Sequence, residues 1–136
     1  MAQIPSIING VNIEFKSTVV NDVHQSLVDG LSHCIRQHVA LGHVLTKIYI
    51  SSAFDSHQYP SRHMQHKAVD ISRINGKLIA IEYPEGGSVA AIVDAMQKSF
   101  ETYGSRRENF GPLFKKKLGQ PFQISGHKDH IHFSVN

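Results

Sequence analysis

Three observations on this sequence predict an α+β domain: a mostly antiparallel sheet with two main helices packed on one face. Lys67 to Ile74 and Lys77 to Tyr83 flank Asn75-Gly76, a pair that supplies the two positive φ angles of a tight hairpin turn. Two longer segments carry apolar residues at three- and four-residue spacing, the mark of a helix with one buried stripe. His130 to Val135 alternates strictly, so that Ile131, Phe133 and Val135 share one strand face and His130, His132 and Ser134 the other. Helices gathered on the apolar side leave the other side of the sheet open to solvent or to a ligand.

Taken in order, Gly10 to Phe15 reads as a short strand or extended arm through Val11, Ile13 and Phe15. Ser17 or Thr18 then caps a helix running to about Leu41, with Val20, Val23, Leu27, Leu31, Cys34 and Ile35 inward and Gly42 as its stop. His24, His33, His38 and His43 fall on this helix or its end; His33 and His38, five apart, do not share a face and read as surface residues. Thr46 to Ser52 is a strand by its β-branched and aromatic content, and Ala53 to Pro60 a polar loop. The Lys67–Tyr83 hairpin follows. Ser88 caps a second helix reaching Tyr103, with Val89, Ile92, Val93, Met96 and Phe100 buried and Gly104 ending it. Ser105 to Gln120 reads as a polar, basic connection, and the last strands lie within Pro121 to Ser125 and His130 to Val135.

The chain has 136 residues, with 40% hydrophobic and 18% charged, which suits one soluble domain spanning residues 1–136. No apolar run approaches a membrane span, and Met1 to Asn12 lacks the basic-then-apolar pattern of a secretory signal. Synthesis in the cytoplasm, without membrane insertion, is the expectation. Cys34 is the single cysteine, which excludes an intramolecular disulfide and a multi-cysteine metal site. A net charge of +3 suits an anionic partner without choosing one, whereas ten histidines point to metal or acid–base chemistry.

Within Ala68 to Ser72, Val69 and Ile71 point one way and Ala68, Asp70 and Ser72 the other, repeating the construction of the final strand. If the two strands are neighbours, Asp70 and His132 come within cross-strand reach. His63, on the loop entering the strand, can fold back over the same place. Two imidazoles and one carboxylate form a three-ligand set that leaves a fourth tetrahedral position for water, the arrangement of a catalytic zinc.

Ser61-Arg-His-Met-Gln-His-Lys-Ala-Val-Asp70 resembles the Ser-x-His-x-x-Gly-x-Ala-x-Asp motif of the zinc D-alanyl-D-alanine carboxypeptidases and L-alanyl-D-glutamate endopeptidases, which share the hedgehog/DD-peptidase fold. Asp129-His-Ile-His132 is similar to that family's second motif and to the His-x-His of the lysostaphin-type endopeptidases. The resemblance implies one Zn2+ per chain held by His63, Asp70 and His132. It further implies Asp129 as the base that takes a proton from the attacking water, with His130 polarising the carbonyl or stabilising the oxyanion, or these roles exchanged. His127 is a third candidate for proton handling or substrate binding. Two departures stand out. His66 occupies the family's glycine position, so the loop is not expected to use a glycine-only conformation there and His66 can line the cleft instead. Ser52-Ala53-Phe54-Asp55 replaces Ser-Gly-Tyr-Arg, and Arg62 is the candidate to replace the missing substrate-binding arginine.

The activity implied is hydrolysis of the peptide stems of bacterial peptidoglycan by a monomeric, endolysin-like enzyme that meets the wall after release from the cytoplasm. Lys115 to Lys117 can contact the anionic wall. Two other readings remain at this point: a zinc-binding relative without turnover, and a nucleic-acid-binding module drawn from Arg106, Arg107 and the lysine run. The last lacks a base-stacking motif or zinc-finger spacing.

Overall fold

The structure is a computed structural model that describes residues 1–53 and 66–136. Arg62 and His63, with the first half of the motif (61–65) and with Phe54 and Asp55, lie outside the described residues.

Among the described residues nine strands form one sheet: β1 (Ile7–Ile8), β2 (Val11–Phe15), β3 (Lys47–Ser52), β4 (Ala68–Ile74), β5 (Lys77–Leu78), β6 (Arg106–Phe110), β7 (Lys115–Lys117), β8 (Gln120–Pro121) and β9 (Ile131–Val135). Their order is β1-β2-β3-β4-β9-β6-β7-β8, with β5 paired to the end of β4. Among these pairings only β2 with β3 is parallel. The described residues also form three helices: α1 (Gln25–Cys34), the single turn α2 (Ile79–Glu82) continued by a 3-10 turn at Tyr83–Glu85, and α3 (Ser88–Phe100). The mixed α+β architecture with a largely antiparallel sheet is therefore as the sequence implies, with one short helix more. No helix among the described residues is long and apolar enough to cross a membrane.

α1 and α3 pack on each other and on the apolar side of β9 and its neighbours. Leu27 and Leu31 of α1, Ile92, Val93, Met96 and Phe100 of α3, and Val69, Ile71, Ile131, Phe133 and Val135 of the sheet form one buried cluster. Phe100 stacks on Phe133 with ring centroids 4.1 Å apart, and each such burial contributes about 1.5–3 kcal/mol. Gly30 lets the helices approach: a Cβ there would lie 3.0 Å from the Tyr103 ring and 3.1 Å from the Phe100 ring. The Asn75-Gly76 turn has φ of 53° and 78°, as its sequence requires.

Four expectations are corrected. The first helix is shorter than residues 18–41, because neighbouring chain competes for its ends. Val23 pairs with Ala2, and the Asn21 side chain bonds the N–H and C=O of Ile4, which holds residues 21–23 extended. At the other end the Asn9 side chain donates to the carbonyls of Ser32 and Ile35, closing the helix. Val20 is accordingly half-exposed at 50%. Second, the strand expected to reach Tyr83 stops at Leu78. Alternation would put Ile79 and Ile81 on one face, but only Ile79 enters the core while Ile81 stays exposed, and a helical turn achieves this separation.

Third, Ser105 to Gln120 is not a connection but holds β6 and β7. The inward residue of β6 is Asn109, buried by polar partners rather than by apolar packing. Its Nδ2 donates to the Gln97 carbonyl at 2.8 Å and to Glu101 Oε2 at 2.9 Å, and Gln97 Nε2 donates to Asn109 Oδ1 at 3.1 Å. A hydropathy pattern does not register a polar core pair. Fourth, the Pro121–Ser125 strand is reduced to Gln120–Pro121, and the final strand begins at Ile131 rather than His130.

Candidate metal and acid-base site

The site is built on the sheet face opposite the helices, where β4, β9 and β6 lie side by side. Asp70 of β4 is directly opposite His132 of β9, and His132 is opposite Phe110 of β6. Antiparallel partners project to the same side, so one row of the sheet brings a carboxylate, an imidazole and a phenyl ring together. Asp70 Oδ1 is 2.9 Å from His132 Nδ1. These are two of the three ligands that the sequence implies; the third, His63, lies outside the described residues, as does Arg62. Among the described residues, no group of three or more His, Cys, Asp or Glu side chains is placed to hold a metal ion.

The other ring nitrogen of His132 meets a residue that the sequence reading did not single out. Glu108 Oε1 is 3.0 Å from Nε2 and accepts the Ser134 hydroxyl at 2.8 Å, while the Glu108 N–H donates to Ser134 Oγ at 3.0 Å. Ser134 is fully buried, and the His132, Asp70 and Glu108 side chains are 11%, 14% and 18% exposed. Burial alone would lower the pKa of His132, but its hydrogen bonds to Asp70 and Glu108, and their charges, outweigh that and raise it to about 9. Glu108 responds in the opposite sense. Burial alone would raise its pKa, yet the bonds from His132 and Ser134 hold it at about 2.

The turn before β9 carries the remaining candidates. Gly126 and His127 both adopt left-handed backbone, with φ of 83° and 65°, and this reversal folds the His127 ring against the strand. Its centroid is 4.9 Å from His130, 5.8 Å from His132 and 5.2 Å from Phe110. Burial, reinforced by the nearby His130 and His132 charges, pushes the His127 pKa down to about 4. Its Nδ1 is buried and has no hydrogen-bond partner among the described residues.

Asp129 and His130 precede the strand, so alternation does not govern them. Asp129 Oδ1 lies 2.7 Å from His130 Nδ1; the Asp129 side chain is 67% exposed and that of His130 27%. The hydrogen bond from His130 holds the Asp129 carboxyl below its usual range.

His66 stands at the motif's glycine position. Its φ of 59° is left-handed, a conformation open to histidine at modest cost. The His66 ring contacts the Asp22 carbonyl through Nδ1 at 2.6 Å, and His66 O accepts from His24 N at 2.9 Å, which ties the start of β4 to the start of α1.

Phe110 stacks on His132 at 5.5 Å and on Phe122 at 5.6 Å, forming an apolar wall beside the histidines. The lysines of β7 are engaged individually: Lys115 Nζ donates to the Ile124 carbonyl, Lys116 lies over Phe114 and Lys117 over Phe122. Glu108 and Phe110 share the i, i+2 spacing of a strand face, the one signal that would have found them. Comparison with protein-family models, with curated proteins and with solved structures finds no match to this chain.

Proposed function

We propose that this chain is a zinc-dependent peptidase that hydrolyses stem-peptide bonds of bacterial peptidoglycan, on a sheet of the hedgehog/DD-peptidase kind. The observation that carries the reading is the register pair Asp70 and His132, with donor atoms 2.9 Å apart on adjacent strands and a cluster of proton-handling groups beside them. The donors present fit the ion: a carboxylate oxygen and an imidazole nitrogen suit zinc. The Nδ1 of His127, buried and without a hydrogen-bond partner among the described residues, marks this corner as one where a polar partner is wanted. His63 completes the ligand set in this reading. When bound, zinc supplies Lewis acidity, which brings the attacking water's pKa to about 7 and polarises the scissile carbonyl.

The chain's own residues divide the remaining work. Asp129 accepts the Nδ1–H of His130, leaving Nε2 of that ring to take the proton of the attacking water and return it to the departing amine. This is the exchanged form of the roles implied by the motif. A carboxylate already engaged by an imidazole is the poorer proton acceptor, and its position suits it to orient the ring and to stabilise the imidazolium that forms. His127, with its low pKa, is a neutral hydrogen-bonding group at physiological pH. It and Arg62 meet polar groups of the stem, Phe110 and Phe122 meet its alkyl portions, and the β7 lysines face the anionic wall.

Purified peptidoglycan digested with the wild type, Asp129→Ala and His130→Ala, followed by mass spectrometry of the products, tests the reading. Released stem fragments from the wild type, their loss in His130→Ala and unchanged zinc content in all three are expected. Full activity after verified zinc removal overturns the proposal. One zinc per chain without any released fragment identifies instead a zinc-stabilised binding protein.

A further inference from the structure

We propose that Glu108 is the residue that positions His132 for the metal, accepting the Nε2–H and thereby presenting Nδ1, beside Asp70, as the ligating nitrogen. This role rests on the zinc reading above. The two nitrogens of an imidazole face outward from different edges of the ring. Asp70 Oδ1 stands 2.9 Å from Nδ1 and Glu108 Oε1 3.0 Å from Nε2, so the two carboxylates address opposite ends of His132 and do not share one ion on it. An ion taken by Asp70 meets Nδ1, which must give up its proton to bind. The single remaining ring proton then belongs on Nε2, where Glu108 already waits as acceptor.

Glu108 is itself held in place. Ser134, two residues beyond His132 on β9, donates its hydroxyl to Glu108 Oε1 and accepts the Glu108 N–H, so side chain and backbone of β6 are both tied to the strand that carries the ligand. Phe110, the next residue on the same face of β6, stacks on the His132 ring with centroids 5.5 Å apart and planes 17° apart, which opposes rotation of the imidazole. The chain Ser134–Glu108–His132–Asp70 thus selects one tautomer and one ring orientation. An outer carboxylate of this kind also makes the imidazole a stronger ligand, and its loss typically costs 10–100-fold in metal affinity.

The test is zinc affinity, measured by competition with a chromophoric chelator on metal-free wild type, Glu108→Ala, Glu108→Gln and Ser134→Ala, with far-UV circular dichroism confirming the fold of each. Glu108→Ala is expected to bind zinc roughly 10–100-fold more weakly. Glu108→Gln retains an amide oxygen that accepts the Nε2–H and is expected to recover a large part of that loss; a purely structural residue would give no such graded recovery in affinity among equally folded variants. Nitrogen-15 NMR of histidine-labelled, zinc-loaded protein reads the tautomer directly, with the proton on Nε2 and the metal on Nδ1 of His132. Wild-type affinity in folded Glu108→Ala, or metal on Nε2, overturns the role of Glu108 while leaving the zinc reading standing. A wild type that takes up no zinc overturns both. If Glu108→Ala does not fold, Glu108→Gln and the tautomer measurement decide the matter alone.

Discussion

Raising the pH should destabilise the metal-free protein through one side chain, His132. Its pKa is raised from 6.5 to about 9 by two carboxylates that overcome the opposing effect of burial. The folded chain therefore holds a proton between those values that the unfolded chain has released, and stability falls as pH rises across that interval. The contribution is fully present below pH 6.5 and lost as the pH passes about 9. At about 1.4 kcal/mol for each tenfold difference in proton affinity, the interval corresponds to about 3 kcal/mol, or on the order of 10 °C in Tm for a domain of this size. The shift of Glu108 reports the same contact and is not counted again. Urea unfolding of the metal-free wild type at pH 6, 7.5 and 9, beside His132→Gln, isolates the effect as the difference between the two pH slopes. Equal slopes in the two proteins would refute the reasoning. Zinc supplies an independent check of sign. In the proposed zinc site metal and proton compete for the same nitrogen of His132, so the stabilisation conferred by added zinc should grow from pH 6 to pH 8.

Because Asp70 is a ligand of the proposed zinc site, Asp70→Asn should lower zinc affinity by at least about tenfold in the same chelator competition, the loss typical of removing even an outer partner, while circular dichroism stays unchanged. Under the proposed peptidase reading, Asp129→Asn should reduce the rate of peptidoglycan digestion without reducing zinc content, because its carboxylate bonds His130; a parallel fall in zinc content would contradict that role. Asn75→Ala should destabilise the chain by about 2 kcal/mol in urea melts, since Asn75 Oδ1 accepts the N–H groups of Thr46 and Lys47 and its Nδ2 donates to the Val44 carbonyl. Gly30→Ala should cost about 1–3 kcal/mol despite the better helix propensity of alanine, because the new Cβ meets the Tyr103 and Phe100 rings at 3.0 and 3.1 Å.

Sequence alone determined those features whose cause is local. The Asn75-Gly76 turn was readable because few residue pairs tolerate two left-handed angles in succession, and α3 because its apolar stripe repeats along one face. The pairing of Asp70 with His132 was readable in part: alternation assigns each side chain to a face, and two strands with the same apolar-and-polar construction suggest the same core. Their register, in which Asp70 and not Ala68 or Ser72 stands opposite His132, is a property of the assembled sheet. Only the tertiary structure decided three further points. α1 starts at Gln25 because Asn21 and Val23 are claimed by the N-terminal arm, contacts some seventeen or more residues distant in the chain. β6 is a strand because Asn109 is buried by Gln97 and Glu101, which no hydropathy pattern records. Glu108 stands at His132 because β6 inserts beside β9 on the side away from β4. Local propensity reports what a segment can form; which partner satisfies a buried polar group depends on chain brought from far away, and at this site that partner sets the chemistry of the histidine.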